Sequence, residues 1–511
     1  MIQQARYLIN ENFKTIPFVE VILPYTESLI INPDLQLSIL VMDKLKHKLL
    51  EELSSTAEVT LQTKLENFIE NGNSNFDEFI KTINLSLVRD YPVLDKILMI
   101  KTNNFSKHIE NIFTRFQEDI EKLKTKFNLG KIKIVDIDTG LGDGHNGEGT
   151  ALLHLSDGTK LIYKPRNIGI TNSYNSFIDW VNLKLKTDLK TFKIVDCVNY
   201  GWIEFVRSEK LNSDEDLKEY YFKSGILLAV TLLLGSKDCH HENVIASGNN
   251  PVMIDHETII QPFFEDQSFR TWDFQHKIPP FSVLESFLII NPNSGTPIDI
   301  VGYGVNGNIE VSELVKTFIN SNTINSKRTT RFTTRKIVDK NIPVLDGTYI
   351  FANDYKEQFI NGFSSAYDMF FNSKDELKFS NSPLHLFNNN EVRYVWRPTF
   401  VYFKILKYMR LPAFMSSFEE FTKKLRFLLS KAFQGGNMEK FKFILDFEMK
   451  QMLNGDIPIF TLGSQNNYLE SENALKVFEK NCMENIFHRI DLLSIEHKDE
   501  QLIYINRWLN M

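Results

Sequence analysis

Residues 235–258, GSKDCHHENVIASGNNPVMIDHET, decide how the rest of the chain is read. The stretch opens on a glycine, as chains do just past the end of a helix. Asp238, His240 and Asn243 then share one loop, and Asp255 closes the short apolar run PVMID. Oxygen donors from two neighbouring segments suit a magnesium ion, and a carboxylate beside them suits the orientation of an attacking hydroxyl group.

The spacing matches that of phosphoryl-transfer enzymes. In protein kinases a catalytic aspartate precedes a magnesium-binding asparagine by five residues, and a second magnesium-binding aspartate opens the next loop. Asp238, Asn243 and Asp255 stand in that order. Lys164, in LIYKPR, falls on a strand after a hairpin, where kinases keep the lysine that neutralises nucleotide phosphates. A lone lysine on a strand, or a lone aspartate after a helix, is ordinarily a surface or capping residue. Order, spacing and secondary structure together carry the reading.

Asp-x-His-x-x-Asn is closer to the catalytic loop of lipid kinases than to the His-Arg-Asp order of protein kinases. His240 either steadies the transferring phosphate or caps the loop. Histidines beside Glu242, Asp255 and Glu257 also suggest a transition-metal site, but His-Glu-x-x-His on a helix is absent and zinc is not expected. The glycine-rich GLGDGHNGEG, 140–149, lies where a phosphate-covering loop belongs, although such a loop is weak evidence alone.

Working outward, residues 1 to 127 carry apolar positions at helical spacing, as in LSILVMDKLKHKLLEEL. After Gly130 the pattern turns extended: KIKIVDI, then TALLHL and TKLIYKP joined by Asp157-Gly158, which predicts a β-hairpin. A helix is expected near SYNSFIDWVNLKL, with Phe177, Val181 and Leu185 on one face, then strands FKIVDCV and YGWIEFV. A longer helix is expected from an N-cap at Ser213 to Gly235, and mainly helix from about residue 330 onward.

The fold class expected is therefore α+β: a divergent, two-lobed, lipid-kinase-like catalytic core with large helical elaborations. Its parts are a helical region at 1–129, a core at 130–330 with lobes at about 130–212 and 213–330, and a mainly helical region at 331–511.

Composition sets outer limits. The chain has 511 residues, enough for two or three cores, and is 42% hydrophobic and 24% charged with a net charge of -7. No polyanion-binding surface follows from that balance, so no nucleic-acid partner is expected. Three scattered cysteines make neither a disulfide framework nor a paired zinc motif. The N-terminus lacks the features of a signal peptide, and the apolar run GILLAVTLLLG, 225–235, is far short of the roughly 20 residues that span a bilayer. A cytoplasmic protein with no membrane span is the expectation.

The same segments resemble the dehydratase domain of class II lanthipeptide synthetases, the LanM type. The resemblance runs through YPVLDKIL (91–98), GDGHNGEG, LIYKPR, YGWIEFV, KDCHHENVIASGNNPVMIDHET, NIPVLDG with NGFSSAYDMF, VRYVWRPT and EMKQMLNGDIPIF. It implies a lipid-kinase-like core that uses ATP and Mg2+ to phosphorylate Ser and Thr of a precursor peptide with a leader, then eliminates phosphate to leave dehydroalanine or dehydrobutyrine. It gives Lys164 the nucleotide-phosphate role, Asp238 that of catalytic aspartate, and Asn243 and Asp255 the metal. His240 and Glu257 fill further active-site positions.

For elimination, the resemblance points to Arg393 and Thr399 in VRYVWRPT, and to His145 with Asp143. Arg397, between the first two, carries a guanidinium suited to bidentate phosphate contact. Two departures stand out. Glu148 replaces a glycine of the family's GDxHNGG and is expected to alter access near the phosphates. The zinc-thiolate cyclase domain of a full synthetase is not found before Met511, so a stand-alone dehydratase is expected, with ring formation left to a separate cyclase. A kinase that no longer eliminates, or a non-catalytic peptide- or nucleotide-binding protein, remain as alternatives.

Overall fold

Ser38 accepts a hydrogen bond from the backbone N–H of Val41 and so starts helix α1, Ile39–Glu70. Its Leu45, Leu49 and Leu53 recur every four residues and are buried. Helices α2, Phe76–Asp90, and α3, Pro92–Phe127, follow, and α1 packs on α3. In this computed structural model the described residues are 13–29, 38–145, 147–264, 276–292, 300–306, 310–336, 340–433, 441–469 and 476–511.

Strands β1, Ile134–His145, β2, Glu148–Leu155, and β3, Lys160–Lys164, form an antiparallel meander. The turn at Asp157-Gly158 is where the sequence puts it, closed by Gly158 N–H donating to the Leu155 carbonyl. The glycine-rich stretch is itself strand, turn and strand: His145 pairs with Glu148, and register shifts on both sides of Leu141 mark bulges at Gly140 and Gly142, which have positive φ. An extra residue at a bulge needs the left-handed backbone that glycine adopts without strain.

Helix α4, Gly169–Leu185, buries Phe177 and Val181 as expected. Strands β4, Ile194–Asp196, and β5, Gly201–Glu204, form a hairpin. Helix α5, Asp214–Leu234, is capped by Ser213 and ends in Gly235, and almost every side is apolar and buried. A second hairpin follows, β6, Val244–Ser247, with β7, Asn250–Met253.

Strands β8, Glu310–Ile319, and β9, Lys327–Lys336, pair in a ribbon that the sequence reading did not anticipate. Accessibility along β8 alternates over most of its length, but its apolar residues Val311, Leu314, Val315, Phe318 and Ile319 fall at helical spacing and so do not announce a strand. Beyond it come α6, Lys356–Asn372, β10, Glu391–Tyr394, α7, Thr399–Met409, α8, Phe418–Ser430, α9, Lys442–Met452, β11, Phe460–Gly463, α10, Cys482–Leu492, and α11, Ile495–Leu509. Strands β10 and β11 pair antiparallel, with Arg393 opposite Thr461.

The chain folds into two compact units, each gathered from three segments. One holds residues 1–163, 314–333 and 398–458; the other holds 164–313, 334–397 and 459–511. These boundaries differ from the divisions at 129/130 and 330/331 drawn from sequence, because each unit recruits segments far apart in the chain. Among the described residues no helix is long and apolar enough to cross a membrane.

Within the second unit α5 and α6 touch at two glycines. A Cβ on Gly225 would lie 2.0 Å from the carbonyl oxygen of Phe359, and one on Gly362 would lie 1.9 Å from that of Phe222. Only hydrogen fits at either place. Gly362→Ala is thus expected to cost about 3 kcal/mol through forced separation of the helices, outweighing the roughly 1 kcal/mol gain in helix propensity. Urea unfolding checks this, and an unchanged or higher midpoint would refute the close-approach argument.

Candidate active site

The loop after α5 is tied down from two sides. Ser236 Oγ donates to the Ile259 carbonyl at 2.6 Å, and Thr258 Oγ1 to that of Lys237 at 2.7 Å. Lys237 N–H donates in turn to the Thr258 carbonyl, and Cys239 N–H to that of Ser286 at 2.8 Å. Between these anchors Asp238 sits at φ 63, in the left-handed region that aspartate tolerates better than most residues. Such a backbone persists only where its surroundings hold it, and here four hydrogen bonds do.

Asn243 completes the loop. Its Nδ2 donates to the Asp238 carbonyl at 2.8 Å, and its backbone carbonyl accepts from Ile254 at the end of the β6–β7 hairpin. The amide nitrogen is thus committed to the loop, which leaves the side-chain oxygen as the atom for a cation. His240 Nδ1 accepts from the backbone N–H of Glu242 at 3.2 Å, and its Nε2 lies 3.7 Å from Asp238 Oδ1. One imidazole therefore caps the loop through one nitrogen and faces the carboxylate with the other.

Two ion-pair groups stand beside this loop. Lys164 Nζ, at the end of β3, meets Asp255 Oδ1 at 2.8 Å. Glu257 is held by two guanidinium groups, Arg166 on one oxygen and Arg393 on the other. Backbone contacts bring Arg393 there: its N–H donates to the Glu257 carbonyl at 2.8 Å, and its carbonyl accepts from Gln261 Nε2 at 2.8 Å. Arg393 is thus positioned by strand pairing as well as by charge.

The electrostatics separate the carboxylates. Burial opposes ionisation of Asp255, but Lys164 and then Arg166 and Arg393 outweigh it and hold the carboxyl well below its ordinary range. Glu257, half-buried and close to Asp255, is held below its range by Arg393 and Arg166. Asp238 moves the other way: burial raises it more than His240 and Arg393 lower it. The group expected to handle a proton is the one whose pKa is raised, and the group expected to hold a cation is fixed as an anion.

His256 belongs to neither set. It is buried, lies 3.1 Å from Thr171 Oγ1, stacks on Tyr174 with 4.2 Å between ring centres and meets Phe192 edge-on. Burial depresses its pKa to about 3, so the ring is a neutral core group. Among the described residues one cluster has the separations of a metal site, Asp136, Asp138 and His154, and Lys44 already bridges both aspartates at 2.8 and 2.6 Å.

The remaining expected residues are distributed between the units. Arg397 is buried in the same unit as Lys164 and Asp238. His145 and Thr399 belong to the other unit, where Thr399 opens α7. Buried His145 places Nδ1 2.9 Å from the Ile457 carbonyl, which makes Nδ1 the donating nitrogen of that contact. Gly147 N–H donates to Asp456 at 3.0 Å, so the glycine-rich turn is clasped by the NGDIP segment. Asp143 lies on β1, but its side chain is outside the described residues. Glu148 accepts from Asn111 at 2.9 Å.

Sequence reasoning passed over Arg166. It stands in the bend just past the end of β3, two residues beyond Lys164, and its place in the same LIYKPR segment was the available signal.

Comparison with known proteins bears on about three quarters of the chain. A family model described as a domain of unknown function, DUF4135, matches residues 91–463, which include every residue discussed above as part of the candidate site. The chain is 25% identical over 414 residues to the lacticin 481/lactococcin biosynthesis protein LcnDR2 of Lactococcus lactis subsp. lactis. That alignment covers 76% of this chain and 42% of the relative, so the chain spans about two fifths of the length of that protein. With well over half of its length matched by the family model, the chain belongs to the DUF4135 family, a LanM-associated family, in keeping with the motifs on which the resemblance was drawn.

Proposed function

We propose that this chain is a lanthipeptide-type dehydratase with a kinase-like catalytic core. It phosphorylates Ser and Thr of a ribosomally made precursor peptide with ATP and Mg2+, then eliminates the phosphate. The observation that carries the reading is one connected array: Lys164, Asp238, Asn243, Asp255, Glu257 and Arg393 are linked by contacts or mutual charge within a single unit, though spread over more than 200 residues of sequence.

The donor set fits the proposed cofactors. Asp255 is an anion and Asn243 presents its amide oxygen, both hard donors suited to Mg2+, while Lys164 supplies the cation for nucleotide phosphates. When bound, ATP with its metal supplies the phosphoryl group. Asp238 accepts the proton of the peptide hydroxyl, and His240, which faces that carboxylate, fixes its orientation.

Elimination requires a base to take the α-proton. The electron pair then forms the Cα=Cβ bond as the Cβ–O bond breaks and phosphate departs. The guanidinium groups of Arg393 and Arg397 suit the leaving phosphate. By the LanM resemblance His145 and Thr399 also serve this half.

The test is intact-mass measurement of the cognate precursor peptide, identified from neighbouring genes, after incubation with the chain, ATP and Mg2+. Loss of one water per modified Ser or Thr is expected. Retained phosphate would leave a kinase alone, and an unmodified peptide with no ATP consumed would sink the proposal.

A further inference from the structure

Beyond Thr399, helices α7 and α8 carry a surface that the proposed chemistry does not use. Between Thr399 and Lys431 there are seven lysines and arginines against two glutamates, in a chain whose net charge is -7. On the same stretch Phe400, Phe403 and Phe427 are 46%, 48% and 53% exposed. Large apolar side chains left together on a surface mark a place where something binds.

Charge and ring are interleaved. The ammonium of Lys404 lies 4.8 Å from the centre of Phe400, and that of Lys407 lies 5.8 Å from Phe403. Lys424 on α8 reaches Tyr408 on α7 at 5.4 Å and Phe427 at 5.3 Å, which makes the two helices one continuous face. At its edge positive charge is crowded: Arg328 pairs with Glu58 at 3.1 Å, Arg410 donates to the Ser55 carbonyl at 2.7 Å, and Lys407 stands near both arginines. Partial burial, and then Arg328 and Arg410, lower the Lys407 pKa more than Glu58 raises it.

We infer that this α7–α8 face docks an acidic, amphipathic segment of the peptide substrate, its carboxylates meeting the lysines and its apolar side chains meeting the exposed rings. The inference rests on the peptide-modifying reading above. A short segment of a peptide samples only the basic face, whereas an anionic membrane or a long nucleic acid also meets the surrounding acidic surface of a chain with net charge -7. A docking contact additional to that at the reacting hydroxyl also suits an enzyme that modifies several positions of one substrate, because the anchored segment raises the effective concentration of each site in turn.

The test is fluorescence anisotropy on the full chain without ATP. The probe is a fluorescein-labelled synthetic helix with leucine on one face and glutamate on the other. Two comparison probes replace leucine by serine or glutamate by lysine, and both are expected to bind at least about tenfold more weakly. The triple variant Lys404→Glu, Lys407→Glu and Lys424→Glu is expected to lose the parent probe by a similar factor at an unchanged unfolding midpoint. Should the variant fold poorly, the two altered probes read the same question on unaltered protein.

Equal binding of all three probes, or no binding of the parent probe, overturns the inference. So does tighter binding to phosphatidylglycerol vesicles or oligouridine that the triple variant abolishes. Probe binding by a chain that never changes the mass of a peptide would retain the surface and remove the enzymatic reading; dehydration by a chain indifferent to the probes would do the reverse.

Discussion

Asp238→Asn is expected to slow phosphorylation of the precursor peptide by about 10²–10⁴-fold, the usual range for loss of a positioned proton acceptor. Asparagine is a better choice than alanine at this position. With φ 63, the backbone sits where alanine costs about 1–2 kcal/mol and asparagine little, so the amide removes the charge while sparing the loop. The Asp238 carbonyl still accepts from Asn243, and the anchors at Ser236, Thr258 and Cys239 do not involve the changed atoms. Asp238→Ala is expected to abolish product as well, at some loss of stability. ADP release and intact mass of the peptide report both variants. A dehydrated product formed by Asp238→Asn at the parent rate would remove the residue from its proposed role.

The same residue sets a pH dependence. Only ionised Asp238 can accept a proton, and its pKa is raised by burial, so activity is expected to fall as pH drops through a value above the ordinary carboxylate figure of about 3.9. Asp255 is shifted the other way by Lys164, Arg166 and Arg393 and stays ionised across that limb. An acid limb in the parent chain that vanishes from the residual activity of Asp238→Asn therefore belongs to Asp238 and not to Asp255, the carboxylate proposed to hold the metal.

Much of this site was legible because its signals are local. Ser213 as cap, Gly235 as terminator and Asp157-Gly158 as turn depend on residues next to one another, and so does the spacing from Asp238 to Asn243. What escaped is nonlocal. Arg166 finds Glu257 across 91 residues, and Arg393 reaches the same carboxylate because β10 lies against residues 257–261 and pairs with β11. Periodicity says that a segment is extended but does not say which strand it will join. For the same reason the sequence divided the chain into consecutive blocks, whereas each compact unit is assembled from three separated stretches.

Arg393→Ala is expected to part the two proposed reactions: phosphopeptide accumulates while elimination slows by about 10²–10³-fold, the range for removing one donor to a developing anion. The geometry makes this more than a loss of fold. Truncating one partner of a buried ion pair usually costs about 3–5 kcal/mol, because the other charge is stranded. Here Glu257 keeps Arg166, and the backbone bonds from residue 393 to Glu257 and from Gln261 to residue 393 survive any side chain at that position. Strand β10 should therefore remain in place, and the cost should be well below that range. Lysine at the same position restores one positive charge without the planar fork, so Arg393→Lys should recover elimination only in part. Time-resolved intact mass separates the steps: the phosphorylated species rises and persists in the alanine variant and decays slowly in the lysine variant. If phosphorylation and elimination fall together by the same factor, Arg393 acts by positioning Glu257 for both reactions, and its assignment to the departing phosphate is wrong.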